Sequence, residues 1–478
     1  MTLTKRVGFV AGAAAMTLSG VAFGAATDAD NDALAQIAEL KAELAELKAT
    51  EGDNWLTEQR ATEIRGIVQD VLADADTRAS LQSSGATAGW DNGFFLASSD
   101  GNFRLNIDGQ VQVRWAWNHR KDPNVGGNAE ENNWGFELAR TKLFFSGHVV
   151  DPSWQYMVSM AFSGTSNVNG FANLQNAYVN KDFGNGFSLR VGQFRAPYMR
   201  ELNVSSANQL TVERSLLSNY FGQTDYSQGA MLSYAADAFA VHVMYSDGIA
   251  QSANGAGPGW ANPILSSQNS PFTGRTTDYA FSARGEFKAA GTWSQFDDMT
   301  SWRGEDFGLL IGAAMIWEKA NSANAGAAGD EARVFGLTAD VSADFGGANL
   351  FGSFVYRHVS DANTNAGAGN EDSVSQWGFM FQGGFFITDE IEIFARYEYG
   401  QAKTDVNNAP FATDRLNALT FGVNWYFARE TVKWTTDFTV GFNPIIAFAD
   451  PQANILTDNT TQKESGQFAL RTQLQLLF

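Results

Sequence analysis

The last eleven residues predict the fold of the whole chain, and they read Phe468-Ala469-Leu470-Arg471-Thr472-Gln473-Leu474-Gln475-Leu476-Leu477-Phe478. Apolar or neutral residues occupy the even positions, and Arg471, Gln473 and Gln475 occupy odd ones. Because successive side chains of a strand point to opposite faces, this alternation predicts a strand with one apolar and one polar face. A strand of this kind that ends on an aromatic carboxy-terminus is typical of the closing strand of a bacterial outer-membrane β-barrel.

The amino-terminal residues predict a secretory signal peptide over residues 1–24. Lys5 and Arg6 form a charged start, an apolar stretch runs from Val7 to Phe23, and small residues place cleavage near Gly24. The chain has no cysteine, so a lipoprotein anchor and a disulfide scaffold are both excluded. No later stretch reaches the roughly 20 apolar residues that a helical span requires. The chain is therefore predicted to be exported, and to be periplasmic, secreted or an outer-membrane barrel.

Composition favours the barrel among these three. Aromatic residues make up 13% of the chain and charged residues only 18%, with 37 Phe and 13 Trp. Strands that are half lipid-facing and half water-facing give this mixture with an ordinary mean hydropathy. The net charge of −20 argues against a nucleic-acid partner.

Residues 28–82 predict a separate helical segment on the periplasmic side. Apolar residues recur with 4-3-4-3 spacing at Ala33, Ile37, Leu40, Leu44 and Leu47, which is typical of a short coiled coil of about two heptads. A second apolar helix face follows, at Ile64, Ile67, Val68, Val71 and Leu72. The two helices could pack on the barrel mouth or on each other, or they could form an oligomerisation stalk.

Residues 93–478 predict a transmembrane antiparallel barrel of about sixteen strands. The clearest strand is Phe103–Trp117, and the others are near 136–147, 154–163, 172–183, 187–194, 228–235, 238–246, 278–287, 307–318, 332–344, 348–358, 375–387, 390–400, 415–427, 431–441 and 468–478. Short links alternate with long ones, as the periplasmic turns and outer loops of such barrels do. Two links fit less well, because Ser163–Phe171 is short for its class and Lys288–Asp306 is long.

Two motifs in the first half of the barrel carry a family resemblance. Ala139-Arg140-Thr141-Lys142-Leu143-Phe144-Phe145-Ser146-Gly147 and Arg190-Val191-Gly192-Gln193-Phe194-Arg195-Ala196-Pro197, followed by Glu213-Arg214-Ser215-Leu216, resemble segments of the phosphate-selective porin O and P family. The segments Trp55–Leu81 and Gly93–Phe103 resemble a branch of that family seen in planctomycete-like bacteria.

The resemblance implies a function and an assembly. It implies a sixteen-stranded porin in the outer-membrane lipid, usually a homotrimer, through which small hydrophilic solutes and ions diffuse passively. It also implies that the third outer loop, Arg195–Ser227, folds into the lumen. By similarity to other barrels, Phe478 is expected to be recognised by the barrel-insertion machinery.

Strand alternation predicts which charged residues line the lumen. The early wall is predicted to be basic, with Arg104, Arg114, Arg140, Lys142, Lys181 and Arg190 against Asp108 alone, and the later wall is mixed. The third loop adds Arg195, Arg200 and Arg214, whose mutual repulsion requires acids such as Glu201, Glu213 or Asp225 between them. Such walls predict either a general porin with a transverse field or an anion- or phosphate-preferring one. The acidic balance of the chain weighs against strict phosphate specificity.

Other functional classes have weaker support. The four histidines, His119, His148, His242 and His358, lack metal-ligand spacing, so no metal, cofactor or catalytic site is predicted. A hydrolase with a Ser–His pair on the outer wall stays open, since Ser360 and Asp361 follow His358. A structural tether between outer membrane and cell wall is a further alternative. The tether predicts a plugged lumen, whereas the porin predicts an open one.

Overall fold

The structure is a computed structural model, and it describes residues 37–43, 45–46, 62–69, 86–91, 93–119, 132–163, 171–222, 226–249, 264–265, 277–322, 331–360, 373–403, 415–443 and 466–478. The chain divides into two units, Met1–Ala86 and Thr87–Phe478. In the first unit, residues 37–43, 45–46 and 62–69 are helical. No helix among the described residues is both long and apolar enough to cross a membrane. The predicted signal peptide lies outside the described residues.

The second unit is a closed antiparallel barrel, which confirms the predicted fold. Its sixteen strands within the described ranges are β1 Arg104–His119, β2 Asn132–Val149, β3 Asp151–Ser163, β4 Phe171–Gly184, β5 Phe187–Phe194, β6 Ser227–Ala235, β7 Phe239–Ser246, β8 Thr277–Ala290, β9 Gly308–Ser322, β10 Glu331–Asp344, β11 Ala348–Ser360, β12 Ser373–Phe386, β13 Ile391–Lys403, β14 Arg415–Ala428, β15 Val432–Gly441 and β16 Phe468–Leu477. Each strand pairs with the next, and β9 pairs with β8 as well as β10. Three short strands, Ala86–Trp90, Phe94–Ser98 and Ile264–Leu265, are also described.

The carboxy-terminal strand closes the barrel. Strand β16 pairs with β15 on one side and with β1 on the other, where Leu470 lies opposite Trp117 and Leu476 opposite Val111. The pairing extends to the last residue, because the Phe478 amide donates to the Gly109 carbonyl at 3.1 Å and the Gly109 amide donates to the Phe478 carbonyl at 2.6 Å. Closure pairs every strand edge, as a lipid environment without competing water requires.

The two faces of the strands differ as the alternation predicts. In β16 the side chains of Leu474 and Leu476 are exposed on the outside, whereas Gln473 and Gln475 are buried inside. An apolar outer face suits the lipid, and a polar inner face suits a lumen. The inside of this barrel is therefore where a solute path and its charged residues lie.

The two glycines of the family-like motifs have a steric role. Gly192 in β5 adopts φ 135°, and a Cβ there would lie 2.2 Å from the Ala177 carbonyl oxygen. A Cβ on Gly147 in β2 would lie 1.8 Å from the Arg104 carbonyl oxygen. Only glycine permits such close strand approach, which explains why both motifs carry it.

One end of the barrel has short turns, with one exception. Six of the seven turns at this end contain one to four residues, for example 185–186 between β4 and β5 and 345–347 between β10 and β11. The link between Ala290 of β8 and Gly308 of β9 spans residues 291–307 instead. In outer-membrane barrels the short-turn end faces the periplasm.

Candidate pore constriction

We call residues 195–226 the β5–β6 loop, and its described residues, 195–222 and 226, lie inside the barrel. It contains two short helices, α1 Arg200–Asn203 and α2 Leu216–Phe221. The Ser215 side chain caps α2 by accepting a bond from the Ser218 amide at 3.0 Å. Nearly every described residue from Ala196 to Gly222 is buried. This placement is the one that the family resemblance implies for the third outer loop.

One side of the β5–β6 loop packs against an apolar patch of the inner wall. Leu202, Leu210, Leu217 and Phe221 of the loop belong to one buried cluster with wall residues Met231, Met244, Ala280, Ala314, Ile316, Val334, Phe351, Val355, Met380 and Phe394. These wall residues come from β6 to β13. The loop and this wall thus form a small hydrophobic core inside the barrel, which fills that side of the lumen.

Polar wall side chains bind the backbone of the loop. The Val212 amide donates to Asp437 at 3.1 Å, and the Leu217 amide donates to Glu398 at 2.9 Å. Lys433 donates to two loop carbonyl groups at 3.1 and 3.0 Å, and Asn424 donates to a third at 2.9 Å. Buried backbone groups without regular secondary structure need such partners. The acidic and basic residues of the later wall therefore serve largely to position the loop.

Glu213 links the loop to the basic wall. Its carboxylate accepts bonds from Arg114 and, at 2.6 Å, from Arg140, and all three side chains are buried. Arg114 also contacts Gln473 at 2.8 Å and the partly exposed Glu137 at 3.1 Å. Glu201, the second acid expected between the cations, accepts a bond from the Ser215 amide at 2.8 Å. Asp225 lies outside the described residues.

The other predicted cations separate into distinct places. Arg200 donates to Ser342 at 3.0 Å and so connects the loop to the wall. Arg214 donates to the Val204 carbonyl at 2.6 Å and so connects two parts of the loop. Arg195 donates to the Leu202 carbonyl and lies over the Tyr226 ring at 4.9 Å. Arg104 lies near the short-turn end, where it pairs with Asp91 at 3.0 Å, away from the loop.

Lys181 is a correction to the predicted wall. Its register partner Trp154 and its neighbour Val179 are exposed on the outer face, whereas Asn180 is buried inside. The Lys181 ammonium lies 4.6 Å from the Trp154 ring centroid. A lysine near a strand end can extend along the outer wall to the interface, so it need not face the lumen.

Arg190 faces a part of the interior that the β5–β6 loop leaves open, whereas Lys142 lies against that loop. Both are half-buried on the inner face of β2 and β5. Lys142 contacts the Ser206 hydroxyl at 3.4 Å, and the Arg190 guanidinium lies 4.3 Å from the Tyr178 ring centroid. A cavity of about 370 Å³ adjoins Arg190 and is lined by residues of β1 to β5, among them Asn106, Ser146, Gln155, Met157 and Tyr178. Within the described residues neither cation has an ion pair.

The link between β8 and β9 also enters the interior, a direction that the sequence did not predict. We call residues 291–307 the β8–β9 loop, and its Phe296, Met299 and Trp302 side chains are buried. The sequence signal for it was the length of the predicted link Lys288–Asp306, which is long for a turn at the periplasmic end. Within this loop, burial raises the pKa of the Asp298 carboxyl to about 7, and the nearby Glu430 carboxylate adds to the shift.

The histidines occupy separate structural positions. His242 bonds Ser233 at 2.9 Å, His148 bonds the Gly101 carbonyl at 2.9 Å, and His119 bonds Asn132 at 3.1 Å. His358 bonds Ser375 at 2.9 Å rather than Ser360. Asp361, the carboxylate of the open hydrolase alternative, lies outside the described residues.

Comparisons with known proteins agree with this architecture. The family model described as "Phosphate-selective porin O and P" matches residues 110–439. The solved outer-membrane channel DcaP of Acinetobacter baumannii is 13% identical, with a TM-score of 0.54 over 82% of this chain and 100% of that chain. OmpT of Vibrio cholerae is 12% identical, with a TM-score of 0.49 over 79% and 98% of the two chains. No curated protein sequence matches the chain. At this identity the similarity to DcaP bears on the fold alone.

Proposed function

Because this chain belongs to the phosphate-selective porin O and P family, and is an outer-membrane channel for passive diffusion of small hydrophilic solutes and ions, we propose that it favours anions weakly and is not strictly phosphate-selective. The proposal concerns what passes through the channel. It assigns the solute path to the inner face of β1 to β5.

The position of Arg190 carries this proposal. Arg190 borders the open cavity, and a cationic side chain at a narrow point favours anions. The other predicted cations contribute less, because Arg114 and Arg140 share the Glu213 carboxylate, Lys142 contacts Ser206 of the loop, and Arg200 and Arg214 bind loop or wall groups. A single cation at the cavity does not make the dense ladder that phosphate selectivity needs, so these contacts support a weak preference.

Reversal potentials test the proposal. Purified protein in a planar bilayer is placed under a gradient of potassium chloride, first at high and then at low salt. We expect a reversal potential on the anion side that grows as salt is lowered, because the Debye length lengthens to about 30 Å at 0.01 M. Replacing chloride with phosphate tests specificity in the same bilayer. A potential on the cation side would overturn the proposal, and complete block of chloride current by phosphate would indicate a phosphate site instead.

Assembly and export are further parts of the proposal. We infer a homotrimer from the family resemblance, and the exposure of Leu40, Ile67 and Val68 in the single chain supports a packing role for the helices of residues 28–82. Native mass spectrometry in mild detergent distinguishes trimer from monomer. Export by the signal peptide over residues 1–24 and recognition of Phe478 by the insertion machinery stay predictions. The tether alternative receives no specific support from the described contacts.

A further inference from the structure

The β8–β9 loop is the one long link at the short-turn end, and its length has a structural use. Residues 291–307 stand where the other six turns of this end have one to four residues. Loops of such length in compact domains are usually functional. The loop begins with a 3-10 helix, Trp293–Asp297, whose first turn is capped by Thr292 and Gln295. It is therefore an ordered segment rather than a simple connection.

The β8–β9 loop extends beneath the interior to the short-turn ends of β10 to β14. The Trp302 ring packs against Phe386 of β12 and Tyr426 of β14, with ring centroids 5.6 and 4.8 Å apart. The Ser301 hydroxyl accepts a bond from the Gly346 amide at 3.0 Å, and Thr300 contacts the Tyr426 hydroxyl at 3.1 Å. Arg303 donates to the Phe386 carbonyl at 2.6 Å. These partners are the short-turn ends of β10 to β14, so the loop lies beneath that side of the lumen.

The loop also joins the β5–β6 loop inside the barrel. The Met299 amide donates to the Asn208 carbonyl at 3.0 Å, and the Asn208 side chain donates to the Asp297 carbonyl at 3.2 Å. Arg200 bridges the two loops and the wall, since it binds the Phe296 carbonyl at 2.5 Å as well as Ser342. The two loops thus form one continuous layer, anchored on β10 to β15 by buried hydrogen bonds and ring contacts.

We infer that the β8–β9 loop is a second constriction element, which closes the periplasmic side of the lumen beneath β9 to β14 and directs solutes along the basic β1–β5 wall. The inference rests on the proposed anion preference and adds the residues that confine the path. The open cavity lies on the opposite side, against Ser146, Tyr178 and Arg190. The covered wall carries the buried carboxylates Asp344 and Glu392. By covering them, the loop increases the influence of Arg190 on passing ions.

Replacing residues 292–307 with Asn-Gly tests the loop directly, because this dipeptide forms a two-residue turn between antiparallel strands. We expect single-channel conductance to rise roughly twofold and the reversal potential to move toward cations, since carboxylates of the covered wall become accessible. Trp302→Ala is a smaller version of the change, and Ser294→Ala, at an exposed loop position, is its control. Unchanged conductance and ion preference in both the replacement and Trp302→Ala would overturn the inference.

Introduced cysteines test the path in the intact loop, and the chain offers a clean background because it has no cysteine. Ser146→Cys lies on the open cavity, whereas Ser353→Cys lies on the inner face of β11 and is buried. A charged thiol reagent should reduce current through the first variant and leave the second unaffected. Equal reaction of both would show that solutes reach the covered wall. A wild-type channel that prefers cations would instead overturn the proposed function, whatever the loop does.

Discussion

Removing the Glu213 carboxylate should release the β5–β6 loop from the basic wall. In Glu213→Gln the two buried guanidinium groups of Arg114 and Arg140 lose the charge that they share. Breaking a buried ion pair by removing one partner costs about 3–5 kcal/mol, because an uncompensated charge stays buried. Arg114 keeps Glu137 at 3.1 Å, so we expect a value near the lower limit, about 3 kcal/mol.

Hydrogen exchange of the loop amides measures this loss. The Val212 and Leu217 amides bind Asp437 and Glu398 only while the loop is docked, so their exchange reports local opening. About 3 kcal/mol corresponds to roughly 100-fold faster exchange, at 1.4 kcal/mol per factor of ten. Peptides covering residues 205–222 should show it by mass spectrometry in detergent, while amides in the barrel strands stay protected.

Glu137→Gln is the matched control. Glu137 contacts the same Arg114, but its side chain is 32% exposed. An exposed pair of this kind contributes about 0–1 kcal/mol, so exchange should change by less than about fivefold. If the two variants give equal exchange in the loop, the buried pair does not hold the loop in place and the reasoning fails.

Three further predictions follow from the positions of single residues. Arg190→Ala should move the reversal potential toward cations at low salt. Arg140 is buried against the β5–β6 loop, so Arg140→Ala should chiefly increase hydrogen exchange of the loop amides. A changed reversal potential in Arg140→Ala but not in Arg190→Ala would contradict the assigned path. The pKa of Asp298 is raised from 3.8 to about 7 in the docked β8–β9 loop, so docking binds a proton and should weaken as pH rises between these values. Hydrogen exchange of the loop amides, corrected for intrinsic rates, should therefore depend on pH, and Asp298→Asn should abolish that dependence. Leu474→Asp puts a charge on the lipid face at a cost of about 2–4 kcal/mol near the midplane, and deletion of Phe478 removes the residue that pairs with Gly109. Both changes together should lower the amount of protein in the outer-membrane fraction, and normal levels there would refute the insertion prediction.

The barrel was predictable because strand formation is a local property. A period of two over residues 103–117 or 468–478 requires no knowledge of the partner strand, and every described barrel strand lies within a few residues of its predicted bounds. The two faces of β16 also follow from local pattern, but its closing role is shown by its pairing with β1, because antiparallel sheets of soluble proteins have one apolar and one polar face as well.

The partners of the charged residues were not predictable in the same way. Alternation puts Arg114 and Arg140 inside, but it cannot reveal that both bind Glu213, about a hundred positions from Arg114 and on a loop whose path depends on packing. Lys181 shows the limit of alternation at a strand end, where a long side chain can follow the outer wall to the interface. The position of the docked loop thus decides which cations face the solutes.

The sequence by itself determined the strands, their number, their two faces and the loop that resembles the family's inward one. Only the tertiary structure decided the interior, where Leu210 and Leu217 form a core with the β6–β13 wall and Trp302 reaches Phe386 and Tyr426 from the opposite end. The length of the β8–β9 loop was visible in the sequence, but its direction was not. The physical reason is that alternation is set by neighbouring residues, whereas the filling of a closed lumen depends on contacts between residues far apart in the chain.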